Sequence, residues 1–219
     1  LIPILFAYAK MNVNTPVIQE TNKKPLHEIR EGISEARKNP IIFGNLLAAG
    51  IVSSLILNMG TYGPLFADRV LHKGLDGFGS ILFAAGAGSM ASGILSATSS
   101  THYSQRFIFT AAGLCGLLLM AVSYIFWTIP ALFMFALLGF ATILFMVNCN
   151  TAIQMASPPE YLGRIMGLYT FVFLGSAPFG SLLVSAIIEY MGTSLGLAIV
   201  GLFEIILILL TAKTYSKQK

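Results

Sequence analysis

Long apolar runs, separated by short clusters of charged residues, dominate the pattern along this chain. A helix needs about 20 mostly apolar residues to cross the hydrocarbon core of a bilayer. Charge-free stretches of that length or more lie between Lys38 and Asp68, Asp76 and Arg106, Arg106 and Glu160, and Arg164 and Glu189. The third stretch is long enough for two helices, and residues 127–130, with an interfacial Trp and a Pro, supply the turn between them.

A sixth apolar run extends from Tyr190 to Ala212, and Glu204 alone interrupts it with a charge. The pattern therefore predicts an all-α, polytopic membrane helix bundle with six complete spans. Residues 1–9 are apolar but too few to cross a bilayer, which predicts the end of a truncated transmembrane helix. We expect a cytoplasmic linker with an amphipathic helix over residues 10–39, the six spans over 40–213, and a cytoplasmic tail over 214–219.

The amphipathic helix of the linker is predicted over Pro25–Lys38. Leu26, Ile29 and Ile33 share one face, and Asn39 followed by Pro40 ends the helix. We interpret it as a linker helix that covers the cytoplasmic ends of the spans. A regulatory or partner-binding site is the alternative.

The distribution of positive charge predicts the orientation in the membrane. Only 10% of the residues are charged and the net charge is +4, whereas roughly a quarter of the residues in a soluble domain are charged. Of the 13 lysines and arginines, eleven fall on one side of the alternating loops and two, Arg69 and Lys73, on the other. Positive loops stay cytoplasmic, so we expect a multi-pass protein of the inner or plasma membrane with a cytoplasmic C-terminus. Lipid is then its partner, and nucleic acid is not.

Candidate catalytic chemistry is sparse. Cys115 and Cys149 both lie inside apolar runs, so we expect packing residues and neither a disulfide framework nor a metal site. His27, His72 and His102 fall in loops or at span ends. Because no catalytic residue set or cofactor motif is recognisable, we predict a protein that is not an enzyme and has no cofactor.

Polar side chains inside the spans are expensive in hydrocarbon, and they should face the bundle interior or a wet cavity. In the first span, Ser54, Asn58 and Tyr62 follow one another at i, i+4 and i+8, which predicts one shared helix face. For Asn58, an interhelical hydrogen bond is an equal alternative to a role in substrate contact. The substrate-path candidates are Ser54, Asn58, Tyr62, Ser89, Asn148 and Ser176.

Five residues are candidates for a role in conformational change. Gly86 and Gly93 belong to a small-residue face of the second span, which predicts either a sliding interface or static packing. Gly175 and Pro178 weaken the helical hydrogen bonds of the fifth span near its middle, which predicts a kink or break there and a hinge. Arg164, at the start of the fifth span, is interpreted either as a gate contact or as a positive-inside anchor.

Glu204 is the ionisable residue nearest the middle of any predicted span. An ionised carboxylate at that depth costs several kcal/mol, so the side chain should be protonated, paired or hydrated. Binding of a proton or a cationic substrate is one hypothesis. We favour the other, in which a neutral Glu204 donates a hydrogen bond to a neighbouring span.

Several segments resemble a known family of transporters. Residues 58–93 read NMGTYGPLFADRVLHKGLDGFGSILFAAGAGSMASG and resemble the seventh and eighth helices of major facilitator superfamily efflux proteins. HEIREGISEARKNP before the first span, PPEYLGRIMGLY between the fourth and fifth, and GSAPFGSLL within the fifth are also similar. The similarity is to the branch that contains the enterobactin exporter and macrolide efflux proteins.

The resemblance implies a function as well as a fold. The six spans would be helices seven to twelve, the six-helix C-terminal half of a major facilitator fold, and an N-terminal six-helix half would be their partner. It also implies a small-molecule substrate path between the halves, alternating access, and proton-driven export of small amphipathic compounds such as drugs or a siderophore. A membrane scaffold or assembly subunit without transport is the alternative, and an intramembrane enzyme is a weaker one.

Overall fold

The computed structural model describes residues 25–98 and 104–218, with side chains over 31–98 and 104–216. Both described ranges contain helices and no strands. The eight helices are α1 (Pro25–Lys38), α2 (Pro40–Leu55), α3 (Met59–Arg69), α4 (Gly74–Thr98), α5 (Gln105–Val122), α6 (Thr128–Ala156), α7 (Leu162–Met191) and α8 (Thr193–Gln218). The truncated helix predicted over residues 1–9 lies outside the described residues.

Six helical segments of the described chain are long and apolar enough to cross a membrane. The first is formed by α2 and α3 together, over Pro40–Arg69, and the others correspond to α4 through α8. Each matches one predicted span, which confirms the all-α bundle of six membrane helices. The last helix, α8, continues to Gln218, through residues of the predicted cytoplasmic tail.

The first span is interrupted at residues 56–58, where α2 ends and α3 begins. The amide of Asn58 donates to the carbonyl oxygen of Ser54, and the hydroxyl of Tyr62 donates to that of Ile56 at 2.8 Å. Carbonyl groups released by a helix break within a membrane need such partners, because hydrocarbon offers none. The prediction of one continuous helix face through Ser54, Asn58 and Tyr62 was wrong, since the two helices meet between them.

Hydrogen bonds between helix ends organise the end of the bundle that carries α1, called the α1 end below. The side chain of Asn39 caps α2 by accepting from the Ile41 amide at 3.0 Å, and it donates to the carbonyl of Ala156 at 3.1 Å. Asn45 and Gln105 exchange two amide bonds of 2.9 and 3.0 Å. These contacts fix the beginnings of α2 and α5 and the end of α6 at one level.

Pairs of membrane helices approach each other closely at glycines. A Cβ added to Gly88 of α4 would lie 1.8 Å from the carbonyl oxygen of Ala136 on α6, and one added to Gly139 of α6 would lie 2.2 Å from that of Ala85. A Cβ on Gly180 of α7 would lie 1.8 Å from the carbonyl oxygen of Ser54 on α2. Small residues drive helix association in membranes by allowing such backbone contact.

The two spans with the least coverage are α4 and α7. Within their most apolar windows, 22% of α4 and 17% of α7 are buried, against 39 to 56% in the other spans. α4 packs on α6 and α3, and α7 packs on α2, α8 and α1, but α4 and α7 do not contact each other. Both helices therefore present broad apolar surfaces outside the bundle.

We expect the close backbone contact at Gly88 to contribute to the stability of the protein. Gly88→Ala should destabilise the protein by about 1–3 kcal/mol, because the methyl group would overlap the α6 backbone. Gly86→Ala is the matched control on the same helix, since an added Cβ there has no atom within 4 Å. Thermal unfolding of the purified variants measures both. Equal melting temperatures would contradict the close α4–α6 contact.

Candidate functional site

Two of the predicted substrate-path residues lie where α2 packs against α7. The hydroxyl of Ser176 donates to the carbonyl of Gly50 at 3.3 Å, and that of Ser53 donates to the carbonyl of Phe173. Ser54, the next residue, is half-buried and donates to the Ile51 carbonyl of its own helix at 3.0 Å. Ser54 and Ser176 thus form a small polar patch on paired helices.

A cavity of about 380 Å³ gives Ser54 access to the surface. It lies between α1, α2 and α7, and apolar side chains line most of it, including Leu47, Ile51 and Val172. Arg37 of α1 also lines the cavity. A mainly apolar cavity with one hydroxyl and one cation suits an amphipathic molecule.

Tyr62 does not belong to an accessible site. Its side chain is completely buried, and its hydroxyl is occupied by the Ile56 carbonyl. Asn58 is also buried, and its amide holds the Ser54 carbonyl. The structure therefore assigns both residues to stabilising the break between α2 and α3, which corrects the expectation that Tyr62 contacts substrate.

The remaining substrate-path candidates lie on other helices. Ser89 of α4 donates to the Gly139 carbonyl of α6 at 3.3 Å. Asn148 of α6 donates to the Leu144 carbonyl of its own helix at 2.7 Å. No hydrogen bond within the described residues joins either one to Ser54 or Ser176. The six candidates thus do not form a single polar site within the described bundle.

The small-residue face predicted on α4 divides into two parts. Gly88 is in backbone contact with α6, and Ser92 is completely buried. An added Cβ on Gly86 or Gly93 would meet no atom within 4 Å. Gly88 therefore serves static packing against α6, whereas Gly86 and Gly93 leave space beside α4 for another surface to approach.

α7 continues as one helix through Pro178, from Leu162 to Met191. The predicted break at Pro178 is absent, and the interruption in the bundle lies at residues 56–58 instead. Pro178 still lacks the amide that would donate to the preceding turn. A Cβ added to Gly175, one turn earlier, would meet no atom within 4 Å. A hinge at these residues stays a prediction.

Arg164 joins α7 to the amphipathic helix. Its guanidinium lies 2.6 Å from the carboxylate of Glu31 on α1, with both side chains about three-quarters buried. A Cβ added to Gly32 of α1 would lie 3.4 Å from the Cβ of Arg164. The guanidinium of Arg164 lies over the ring of Tyr161, 5.6 Å from the ring centroid. Sequence reasoning missed Glu31 as the partner, because the two residues are 133 positions apart.

The last turn of α1 carries a second ion pair. Lys38 donates to the carboxylate of Glu35 at 2.8 Å. This hydrogen bond, together with the negative charge of Glu35, raises the pKa of Lys38 above its usual value. Lys38 therefore remains charged at the start of the first span throughout the physiological pH range.

Glu204 lies where α5 and α8 cross. Its side chain is completely buried, and neither carboxylate oxygen has a hydrogen-bond partner in the described part of the chain. A Cβ added to Gly116 of α5 would lie 2.1 Å from Oε2, and one added to Gly201 of α8 would lie 2.4 Å from the Gly116 carbonyl oxygen. Oε2 lies against the backbone of Gly116 on the neighbouring span α5, in the space that this glycine leaves, and the predicted interhelical hydrogen bond stays a prediction.

The two cysteines of the core make hydrogen bonds to nearby carbonyl groups. The thiol of Cys115 donates to the Ala111 carbonyl at 3.3 Å and lies 3.7 Å from the hydroxyl of Thr142. Cys149 donates to the carbonyl of Asn45 at 3.4 Å. Both cysteines are free and buried. The described residues contain no cluster of His, Cys, Asp or Glu that is able to hold a metal ion.

Comparison with known proteins adds one match. The family model described as Major Facilitator Superfamily matches residues 1–181 of the chain. No curated protein and no solved structure matches the chain. The matched region includes α1 through α6 and most of α7, and therefore both the Ser54–Ser176 patch and the Arg164–Glu31 pair.

The Arg164–Glu31 pair should show measurable coupling. Arg164→Gln and Glu31→Gln should each lower stability by about 1–3 kcal/mol, because each removes one partner of a largely buried hydrogen-bonded pair, and the double variant should lose little more than either single one. A double-mutant cycle on melting temperatures measures this coupling. Losses that simply add would contradict a direct interaction. Loss of transport at unchanged stability would instead support the gate interpretation of Arg164.

Glu204 should tolerate neutral substitution. Because neither carboxylate oxygen makes a hydrogen bond of normal geometry within the described residues, Glu204→Gln and Glu204→Leu should both accumulate as folded protein, with stability equal to or above that of the original. Size-exclusion profiles and melting temperatures measure folding, and transport is measured in parallel. Loss of folded Glu204→Leu alone would reveal a hydrogen bond absent from this structure. Loss of transport by well-folded Glu204→Gln would show that ionisation is required.

Proposed function

The chain belongs to the major facilitator superfamily, and from this premise we propose that it forms the C-terminal half of a proton-driven exporter. Its substrates would be small amphipathic compounds such as drugs or a siderophore. The family match supports a transporter of the major facilitator type. The resemblance of residues 58–93 to helices seven and eight of efflux proteins supports the finer assignment, in which α2 and α3 together are helix seven and α8 is helix twelve.

The observation that carries this proposal is the unequal coverage of the six spans. α4 and α7 have the smallest buried fractions, and α4 also presents the open glycines Gly86 and Gly93. Small open residues on an apolar helix permit another helix to approach closely. An N-terminal six-helix half that packs on these surfaces would enclose a path between the two halves.

The packing within the chain supports rigid-body movement of this half. Backbone contacts at Gly180 and at Gly88 tie α7 to α2 and α6 to α4, and such contacts leave no side chain to rearrange. Alternating access would then proceed by rocking of one half against the other. The ion pair between Arg164 and Glu31 would make α1 move together with α7.

The polar patch of Ser54 and Ser176 is the proposed substrate contact in this half. It lies on the paired helices α2 and α7, and the cavity that Ser54 lines is otherwise mainly apolar. Such a surface offers hydrogen bonds at one point and apolar contact around it, as an amphipathic substrate requires. The proton-linked step would belong to the N-terminal half, with Glu204 as the candidate within this one.

The proposal is tested by reconstitution in sealed vesicles. Residues 1–219 are expressed alone and together with the N-terminal half, and uptake of a fluorescent amphipathic amine is followed after a pH gradient is imposed. We expect gradient-dependent flux from the two halves together and none from residues 1–219 alone. A protonophore should abolish the flux.

Matched variants sharpen this experiment. Ser54→Ala should reduce flux several-fold, because it removes a hydrogen bond of about 1 kcal/mol to substrate. Ser181→Ala is the control on α7, since Ser181 makes the same kind of hydrogen bond within its own helix, to the Pro178 carbonyl at 2.8 Å, but is not among the described residues that line the cavity. Flux by residues 1–219 alone would contradict the assignment as a half transporter. Two folded halves that associate without flux would indicate a scaffold.

A further inference from the structure

A large groove lies between α5 and α8, with the end of α6 along one side, and we propose that it binds an anionic phospholipid of the surrounding bilayer. Its volume is about 1130 Å³. It opens at the α1 end and is separate from the Ser54–Ser176 patch. The proposal depends on the membrane location of the bundle, and not on the substrate or direction of transport.

The groove changes in polarity along its length. At the α1 end it is lined by Arg106, Thr110 and Ser216, and toward the middle of the bundle by Gly113, Leu117 and Leu209. Eleven residues of α5 separate Arg106 from Leu117, which is about 16 Å along a helix. That length is close to half the hydrocarbon thickness, about 15 Å. The groove therefore matches one leaflet, with its polar end at the interface.

The close contact between α5 and α8 accounts for the shape of the groove. At Gly116 and Gly201 the two backbones touch without intervening side chains. One turn nearer the α1 end, an added Cβ on Gly113 would find no atom within 4 Å. A glycine in open space between two helices leaves room for an acyl chain. The same glycine provides a way to fill the groove by mutation.

The charge at the polar end selects an anionic headgroup. Arg106 is exposed, and no ion pair or hydrogen bond to its side chain occurs within the described residues. The described residues that line the groove include no aspartate or glutamate. Basic pockets between membrane helices bind the phosphate of anionic lipids. An exposed arginine above an apolar channel thus complements an anionic phospholipid better than a neutral apolar molecule.

The surface around the groove is apolar and exposed, as contact with acyl chains requires. Leu114 and Leu117 of α5 and Leu209 and Leu210 of α8 are between 42 and 63% exposed. Together they form a leucine-rich surface that faces outward from the α5–α8 pair. The open glycines of α4 lie on a different part of the bundle, so the proposed interface between halves does not need this surface.

Lipid titration of the purified full-length protein in detergent tests the proposal. Dioleoyl phosphatidylglycerol, dioleoyl phosphatidylcholine and glycerol phosphate are added separately, and the melting temperature and the lipid retained in native mass spectra are measured. We expect the anionic lipid to be retained at lower concentration and to raise the melting temperature more than the zwitterionic one. Glycerol phosphate, which lacks acyl chains, should have no effect.

Two variants locate the site. Arg106→Gln should weaken phosphatidylglycerol binding about fivefold, which corresponds to one basic residue near a lipid phosphate, and leave phosphatidylcholine binding unchanged. Gly113→Leu should weaken binding of both lipids, because the new side chain fills the channel. Arg69→Gln, at the other end of the bundle, and Gly79→Leu, at an open glycine of α4, are the matched controls and should bind as the original protein does.

Three outcomes would overturn the proposal. They are equal retention of the two lipids by the original protein, unchanged phosphatidylglycerol binding by Arg106→Gln, and stabilisation by glycerol phosphate alone. The last would indicate a site for a free phosphate compound. If Gly113→Leu yields little folded protein, the comparison of Arg106→Gln with Arg69→Gln decides the question by itself.

Discussion

Direct contact between helix backbones at glycine is the constraint on which the packing of this bundle depends. Lipid tails are as apolar as leucine side chains, so the hydrophobic effect does not hold membrane helices together. Gly88 and Gly139 join α4 to α6, and Gly180 joins α7 to α2. Gly116 and Gly201 do the same for α5 and α8. Each contact sets both the distance between two helices and the face that each one buries.

These contacts also determine where polar groups lie. Once Gly180 has placed α7 against Ser54, Ser176 faces the Gly50 carbonyl and becomes part of a shared polar patch. Once Gly116 and Gly201 have brought α5 and α8 together, Glu204 is enclosed without a hydrogen-bond partner in the described chain. Burial of an unpaired carboxyl group is costly. Because Glu204 is buried in this way, it is the residue of the bundle whose presence most requires a functional explanation.

The helices are held together by different interactions at the α1 end and near the middle of the bundle. At the α1 end, amide side chains and one ion pair connect the helices, as Asn45 with Gln105 and Glu31 with Arg164 show. Polar partners are available there because the ends reach the interface and water. Nearer the middle, the same helices touch through glycines and small side chains. The proposed lipid groove lies at the transition, where α5 and α8 separate toward their polar ends.

The sequence by itself determined the number of the spans, because bilayer thickness imposes a minimum apolar length that charge-free runs reveal. It also identified Glu204, since any acidic residue stands out in such a run. Only the tertiary structure decided which side chains face inward. Gly86 and Gly88 are two residues apart, yet one is open and the other touches α6; Ser54 lines a cavity whereas Tyr62 is buried beyond the helix break. Rotation of each helix about its axis is set by its neighbours, and composition along one span contains no record of them.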